Sequence, residues 1–67
     1  MKRILVMGAS KGIGLETVQK AIDSRHLVRA FARSAYEIGI NNPELEKFRG
    51  NALDHDDVCA ALKDVDV

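Results

Sequence analysis

Residues 3–14 carry the clearest structural signal in this 67-residue chain, and they read Arg3-Ile4-Leu5-Val6-Met7-Gly8-Ala9-Ser10-Lys11-Gly12-Ile13-Gly14. The apolar run that ends at residue 7 is unbroken and rich in branched side chains, which is typical of a parallel strand covered on both faces. Glycines follow at positions 8, 12 and 14, so the chain can turn sharply and open a helix. These residues predict a buried strand, a glycine loop and a helix in direct succession.

The apolar spacing beyond the loop predicts the rest of a strand-helix-strand unit. From residue 12 to about residue 24, apolar side chains recur on one helical face, which indicates an amphipathic helix. Residues 27–32 (Leu-Val-Arg-Ala-Phe-Ala) have the composition of a second strand. A strand, a helix and a strand within about 30 residues form a right-handed βαβ unit.

The second half of the chain predicts weaker elements. A short helix is expected over residues 34–40, ahead of a proline that disfavours helix in the residue before it. A third strand over 45–49 and a helix over 55–63 follow. Asp54 is expected to cap that helix, and residues 64–67 to open a fourth strand.

The glycine loop indicates a site that binds phosphate groups. Gly8 permits the sharp exit from the strand, Gly12 lets a pyrophosphate approach the backbone, and Gly14 lets the helix pack closely on the sheet. Free N–H groups at the start of the helix then face the phosphates. The spacing G-x-x-x-G-x-G does not match G-x-x-x-x-G-K-S/T, so the P-loop kinases and ATPases are excluded.

The loop resembles that of the short-chain dehydrogenase/reductase superfamily, whose members carry TGxxxGIG; Met7 here replaces the threonine. The resemblance is closest to the atypical, NmrA-like NAD(P)-binding members, because residues 28–34 (Val-Arg-Ala-Phe-Ala-Arg-Ser) and 49–54 (Arg-Gly-Asn-Ala-Leu-Asp) match their later elements. It implies an α/β fold, with a Rossmann-like parallel sheet in the strand order 3-2-1-4 and helices on both faces. Residues 1–67 would then be the N-terminal part of an NAD(P)-binding Rossmann domain, a truncated half-domain.

For function, the resemblance implies the cofactor-binding half of an NADP(H)-dependent oxidoreductase or epimerase. Two alternatives stay open: a non-enzymatic NADP(H)-binding sensor or regulator, and a minimal half-domain that self-associates without tight ligand binding. No catalytic residue is assigned within the chain. The family's Tyr-x-x-x-Lys would need lysine at position 40, and Ile40 stands there, four residues after the only tyrosine, Tyr36.

The residue just past the second strand selects between the two nicotinamide dinucleotides. An acid there would accept hydrogen bonds from the adenosine ribose diol and repel a 2′-phosphate, but this chain has Arg33. Its guanidinium can hold a phosphate through two charge-assisted hydrogen bonds, and Ser34 can add a hydroxyl. Lys11 matches a position where NADP-preferring relatives carry a basic residue. The cofactor predicted is NADP(H), against the alternative that Arg33 and Lys11 are ordinary solvated side chains.

The resemblance also assigns a role to the segment after the third strand, where relatives have an aspartate that contacts the adenine amino group. Asn51 stands there and could accept the same bond, with the Ala52 N–H facing the ring; a structural asparagine is the equal alternative. The full predicted cofactor site is Gly8, Ala9, Ser10, Lys11, Gly12, Ile13, Gly14, Arg33, Ser34, Asn51 and Ala52. The carboxylates at 54, 56 and 57 are interpreted as a helix cap and dipole partners, so no metal site is predicted.

Charge balance and cysteine content indicate which partners and which cellular compartment to expect. Ten Lys and Arg residues balance ten Asp and Glu residues, so no overall field would attract nucleic acid or an anionic membrane. A single cysteine excludes an intrachain disulfide, and this, with no targeting or membrane-spanning segment in the sequence, predicts a cytoplasmic protein. Because the fourth strand would be so short, the first strand would lie near an edge of the sheet, which predicts a homodimer or higher assembly.

Overall fold

The structure is a computed structural model that describes residues 2–10 and 12–67. In these ranges the elements, in chain order, are β1 (Arg3–Met7), α1 (Gly12–Asp23), β2 (Leu27–Ala32), β3 (Leu45–Arg49) and α2 (His55–Ala61). A 3-10 turn at Ala35–Glu37 takes the place of the short helix predicted over 34–40, and α2 ends two residues before its predicted end. Neither helix in the described ranges has the length and apolar character needed to cross a bilayer.

The sheet is parallel throughout and has the order β1-β2-β3. The predicted order 3-2-1-4 is therefore wrong, because the described residues form three strands and no fourth. β1 pairs with β2 from Arg3 opposite Leu27 onward, and β2 pairs with β3 as far as Ala32 opposite Arg49. The carboxyl ends of all three strands consequently open at one edge of the sheet.

Residues 64–67 form no strand, although Asp66 and Val67 bond to the outer edge of β1. The Leu5 amide donates to the Val67 carbonyl at 2.9 Å, but the Arg3 amide donates to the side chain of Asp66 at 2.9 Å. The turn that leads into this segment has a left-handed residue at Asp64, with φ of 60°. A side-chain acceptor inside the ladder and a left-handed bend just before it interrupt the regular spacing that a parallel strand requires.

The two helices cover opposite faces of the sheet. Alternation along β2 sends Val28 and Ala30 to one face, where they are buried in a cluster that includes Val18 of α1. Phe31 points to the other face, where its ring stacks on that of Phe48 with centroids 5.7 Å apart. α2 lies on this second face, where Arg29 of β2 donates to the carbonyl oxygen of Ala61 at the end of the helix.

A buried cation fixes α2 to the sheet. Nη1 of Arg29 donates to the carbonyl oxygens of Ala61 at 2.7 Å and Lys63 at 2.9 Å, and Nε donates to Glu46 at 3.0 Å. Carbonyl groups at the end of a helix have no partners within it and carry partial negative charge. The guanidinium supplies both the missing hydrogen-bond donors and a compensating positive charge. Sequence reasoning treated β2 as an apolar strand and gave Arg29 no role.

The turn between α1 and β2 contains a strained residue, because Arg25 has a left-handed φ of 67°. We expect Arg25→Gly to raise the free energy of unfolding by about 0.5–1 kcal/mol, since glycine adopts this conformation without a Cβ penalty. Urea denaturation followed by circular dichroism measures the change. Arg25→Ala removes the same long side chain but keeps the Cβ, so a glycine variant no more stable than the alanine variant would contradict the prediction.

Candidate functional site

The glycine loop joins the carboxyl end of β1 to the start of α1. Gly8 and Gly12 have left-handed φ values of 66° and 63°, a conformation that costs energy for residues with a Cβ. Gly14 is constrained by space instead, because a Cβ there would overlap the Gly8 carbonyl oxygen and lie 3.1 Å from the Ala9 Cα. The loop therefore turns tightly, and the first turn of α1 lies directly against its backbone.

Part of the loop backbone is already engaged within the sheet. The amides of Gly8 and Ala9 both donate to the Phe31 carbonyl, at 2.9 and 3.3 Å, and Ala9 is completely buried. The N–H groups of residues 12–14 lie in the first turn of α1, where an α-helix supplies no partners of its own. A phosphate at this loop would therefore be held by the start of α1 rather than by residues 8 and 9.

One cleft of about 300 Å³ lies where the strands end. We call it the strand-end cleft, and it is lined by Gly8, Ser10, Phe31, Ala32, Arg33, Ser34, Gly50, Asn51, Ala52 and Leu53. These residues come from the ends of the strands and the segments that follow β1, β2 and β3. The edge at the carboxyl ends of the strands is where open α/β sheets bind their ligands.

The structure brings three separated segments of the predicted site together. The predicted residues that line the strand-end cleft are Gly8, Ser10, Arg33, Ser34, Asn51 and Ala52. Ala9, within the loop, is completely buried. The predicted residues at 12, 13 and 14 lie in the first turn of α1, outside the lining of the cleft. Lys11 lies outside the residues that the structure describes.

Two residues at the end of β3 were missed by sequence reasoning. Gly50 lines the strand-end cleft, and a Cβ there would lie 2.7 Å from Cε2 of the Phe31 ring. Arg49 is the last residue of β3 and stands in register opposite Ala32. The predicted third strand ends at Arg49, but its position beside the end of β2 follows only from the register of the two parallel strands.

The side chain of Asn51 shapes the loop after β3. Its Oδ1 accepts from the Leu53 backbone amide at 2.9 Å and from Nη2 of Arg33 at 3.3 Å, while the backbone amide of Asn51 donates to Oδ2 of Asp57 at 2.9 Å. An amide oxygen has two lone pairs, and both face donors here. This arrangement favours the structural interpretation of Asn51 over an acceptor for an adenine amino group.

The rim of the site is positively charged. Arg33 and Arg49 are both exposed at neighbouring strand ends. Among residues 2–10 and 12–67, the one ion pair within 4.0 Å joins Arg29 to Glu46, on the covered face of the sheet. The two rim arginines thus have no carboxylate partner in the described chain, and their charge favours an anionic ligand.

The carboxylates after the site have a structural role. Oδ1 of Asp54 accepts from the amides of Asp56 at 2.9 Å and Asp57 at 3.2 Å, so the residue caps α2 as predicted. Capping of this kind stabilises a helix by about 1 kcal/mol. In the described part of the chain, no group of three or more His, Cys, Asp and Glu side chains is arranged to hold a metal ion.

Comparison with known proteins adds one finding. No curated protein and no solved structure matches the chain significantly. A family model described as NAD(P)H-binding matches residues 8–67, from the first glycine of the loop onward, and so includes every residue that lines the strand-end cleft. The parallel sheet with a helix on each face is Rossmann-like and agrees with that match. The chain therefore belongs to the NAD(P)H-binding family.

Proposed function

We propose that the protein binds NADP(H) in the strand-end cleft, with the pyrophosphate at the start of α1. The main observation that supports this proposal is that the glycine loop lies beside Arg33 and Ser34 at one edge of a parallel sheet, in a chain of the NAD(P)H-binding family. Helix N–H groups and the helix dipole favour the negative charge of a pyrophosphate there. The reduced cofactor supplies a hydride when it is bound. This chain's residues bind and orient its adenosine half.

The choice of NADP(H) over NAD(H) rests on the donors past β2. Arg33 offers only N–H donors, and neither it nor Ser34 carries the carboxylate that would accept from a ribose diol. Both residues line the cleft, and Arg33 is exposed. Lys11, the residue before the second glycine of the loop, belongs to the same proposal on its sequence position alone.

We further propose that this unit is the N-terminal, cofactor-binding part of a protein like the NmrA-type short-chain dehydrogenase/reductases, either an oxidoreductase or an epimerase. The resemblance in the loop and after β2 and β3 supports this assignment. Ile40 stands four residues after Tyr36, so Tyr36 is not the catalytic tyrosine of such an enzyme, and a non-enzymatic NADP(H) sensor is the alternative proposal. Consumption of NADPH with a panel of aldehydes, ketones and quinones would favour the enzyme, and tight binding without turnover would favour the sensor.

Self-association and a cytoplasmic location belong to the same proposal. Leu62 and Val67 are exposed apolar residues that a second copy of the chain could cover. Because Asp66 and Val67 already bond to the outer side of β1, a partner would pack on side chains there instead of extending the sheet. Analytical ultracentrifugation at micromolar concentration tests this, and a stable monomer would contradict it. A chain with a single cysteine suits a reducing compartment.

Calorimetric titration with NADPH, NADH and ATP tests the proposed function directly. We expect NADPH to bind more tightly than NADH, because only NADPH carries the 2′-phosphate, and ATP to bind most weakly. Circular dichroism on the same sample establishes that the protein is folded. A folded protein that gives no response to millimolar NADPH or NADH would overturn the proposal, including its alternative as a sensor, and would leave the self-associating half-domain.

A charge placed in the glycine loop should weaken both dinucleotides. Ser10 lines the strand-end cleft, and we expect Ser10→Glu to lower the affinity for NADPH and NADH alike by about tenfold or more, because a carboxylate there repels the pyrophosphate. Ser24→Glu is the matched control, since it makes the same change just beyond the opposite end of α1. Equal effects of the two substitutions in calorimetric titration would show that the loop does not bind the pyrophosphate.

A further inference from the structure

A second cleft adjoins the strand-end cleft. This arginine cleft, of about 320 Å³, is lined by Arg33, Ser34, Tyr36, Glu37 and Arg49. Arg33 and Ser34 also line the strand-end cleft, so they form the wall that the two clefts share. A ligand in the strand-end cleft would therefore lie next to the arginine cleft.

Arg49 reaches the arginine cleft from β3. Its Cα is in register with that of Ala32, the residue before Arg33, and neighbouring strands lie about 4.8 Å apart. Two arginines at adjacent strand ends thus line one cleft. No carboxylate lies within 4.0 Å of either group in the part of the chain that the structure describes. Two neighbouring cations without a counter-ion favour an anion that carries more than one charge.

We propose that Arg49 is a specificity-determining residue, which binds the 2′-phosphate of NADP(H) together with Arg33 and Ser34. This inference rests on the proposed function and deepens it. The 2′-phosphate carries a charge of about −1.5 to −2 at neutral pH and has several strong acceptor oxygens. One guanidinium compensates only part of that charge, a second compensates most of the rest, and the Ser34 hydroxyl adds a neutral donor.

The arginine cleft fits the phosphate better than the remaining space around the two arginines. A third cleft is also lined by Arg33 and Arg49, but it includes Asp57 and Asn51. There Nη2 of Arg33 already donates to the Asn51 oxygen at 3.3 Å, and the Asp57 carboxylate would repel the ligand. The arginine cleft contains one carboxylate as well, that of the exposed Glu37, but it adds the Ser34 hydroxyl as a donor.

Arg49→Gln tests the inference, with dissociation constants for NADPH and NADH measured by calorimetry. We expect NADPH to bind about tenfold more weakly, as expected for loss of a charge-assisted hydrogen bond, and NADH to change by less than about twofold. Adenosine 2′,5′-bisphosphate and adenosine 5′-monophosphate isolate the contribution of the phosphate and should show the same difference. Lys20→Gln, at the opposite end of α1 from the loop, removes the same charge and should leave all affinities unchanged.

The outcomes separate this inference from the function on which it rests. A parent protein without a preference for NADPH would refute the NADP(H) proposal itself. A parent that prefers NADPH, with Arg49→Gln either unchanged or equally weakened for NADH, would refute only the role of Arg49. Circular dichroism checks the fold of the variant. If Arg49→Gln does not fold, Arg49→Met decides: it removes the same charge and the same donors while keeping a long side chain, and unchanged NADPH affinity would overturn the inference.

Discussion

Replacing Arg29 by methionine should lower the free energy of unfolding by about 3 kcal/mol. The buried guanidinium donates to the carbonyl oxygen of Ala61, at the end of α2, and to that of Lys63, just beyond it. Methionine fills similar space without donating to either. A buried acceptor that loses its partner costs about 1–3 kcal/mol. For a chain of this length the total stability is about 3–10 kcal/mol, so the substitution should remove a large share of it.

Glu46→Gln separates the two parts of the Arg29 contact. The Glu46 side chain is 55% exposed, so its ion pair with Arg29 should contribute less than about 1 kcal/mol. Urea denaturation of both variants, followed by circular dichroism, gives the comparison. If Arg29→Met destabilises the protein no more than Glu46→Gln does, the carbonyl contacts are not what fixes α2 to the sheet.

The first strand-helix-strand unit could be predicted from the sequence because its signals are local. Each signal depends on residues close together in the chain: an apolar run, a glycine-rich turn, and apolar residues that recur at helical spacing. The same holds for the cap at Asp54, which depends on a carboxylate just ahead of a helix. Local steric and hydrogen-bonding rules therefore decide β1, α1, β2 and the start of α2.

The fourth strand was predicted wrongly because its fate depends on contacts far apart in sequence. The alternation in residues 64–67 favours a strand. The Asp66 carboxylate, however, accepts the hydrogen bond from the Arg3 amide that a backbone carbonyl of a neighbouring strand would have accepted. A pattern of apolar and polar residues does not show which oxygen will reach an amide across 63 positions of chain. The strand order built on that alternation fails for the same reason.

The roles of two arginines were also missed, because the spacing of apolar residues treats such positions as part of an apolar strand or as solvated. Arg29 lies inside an apolar strand, and its partners lie 32 and 34 residues later in the chain. Arg49 becomes part of the site only once the register of β2 and β3 is known. Asn51 lines the strand-end cleft, but its engagement with Arg33 and the Leu53 amide depends on a loop geometry that the sequence does not specify.

Arg33→Asp should reverse the preference between the two dinucleotides. The substitution removes a charge-assisted hydrogen bond to the 2′-phosphate and adds a repelling carboxylate, so we expect NADPH to bind about 100-fold more weakly. NADH should bind equally well or a few times more tightly, because an aspartate there can accept from the free ribose hydroxyls. Calorimetric titration of the parent and the variant with both dinucleotides measures the reversal.

Arg33→Gln distinguishes lost attraction from added repulsion at the same position. Glutamine removes the cation without introducing an anion, so it should weaken NADPH by about tenfold and give NADH no gain. Arg33 also donates to the Asn51 oxygen, and both substitutions break that contact, so a disturbance of the loop after β3 would affect them equally. An equal loss of affinity for NADPH and NADH in both Arg33→Asp and Arg33→Gln would mean that position 33 supports the loop and does not select the cofactor.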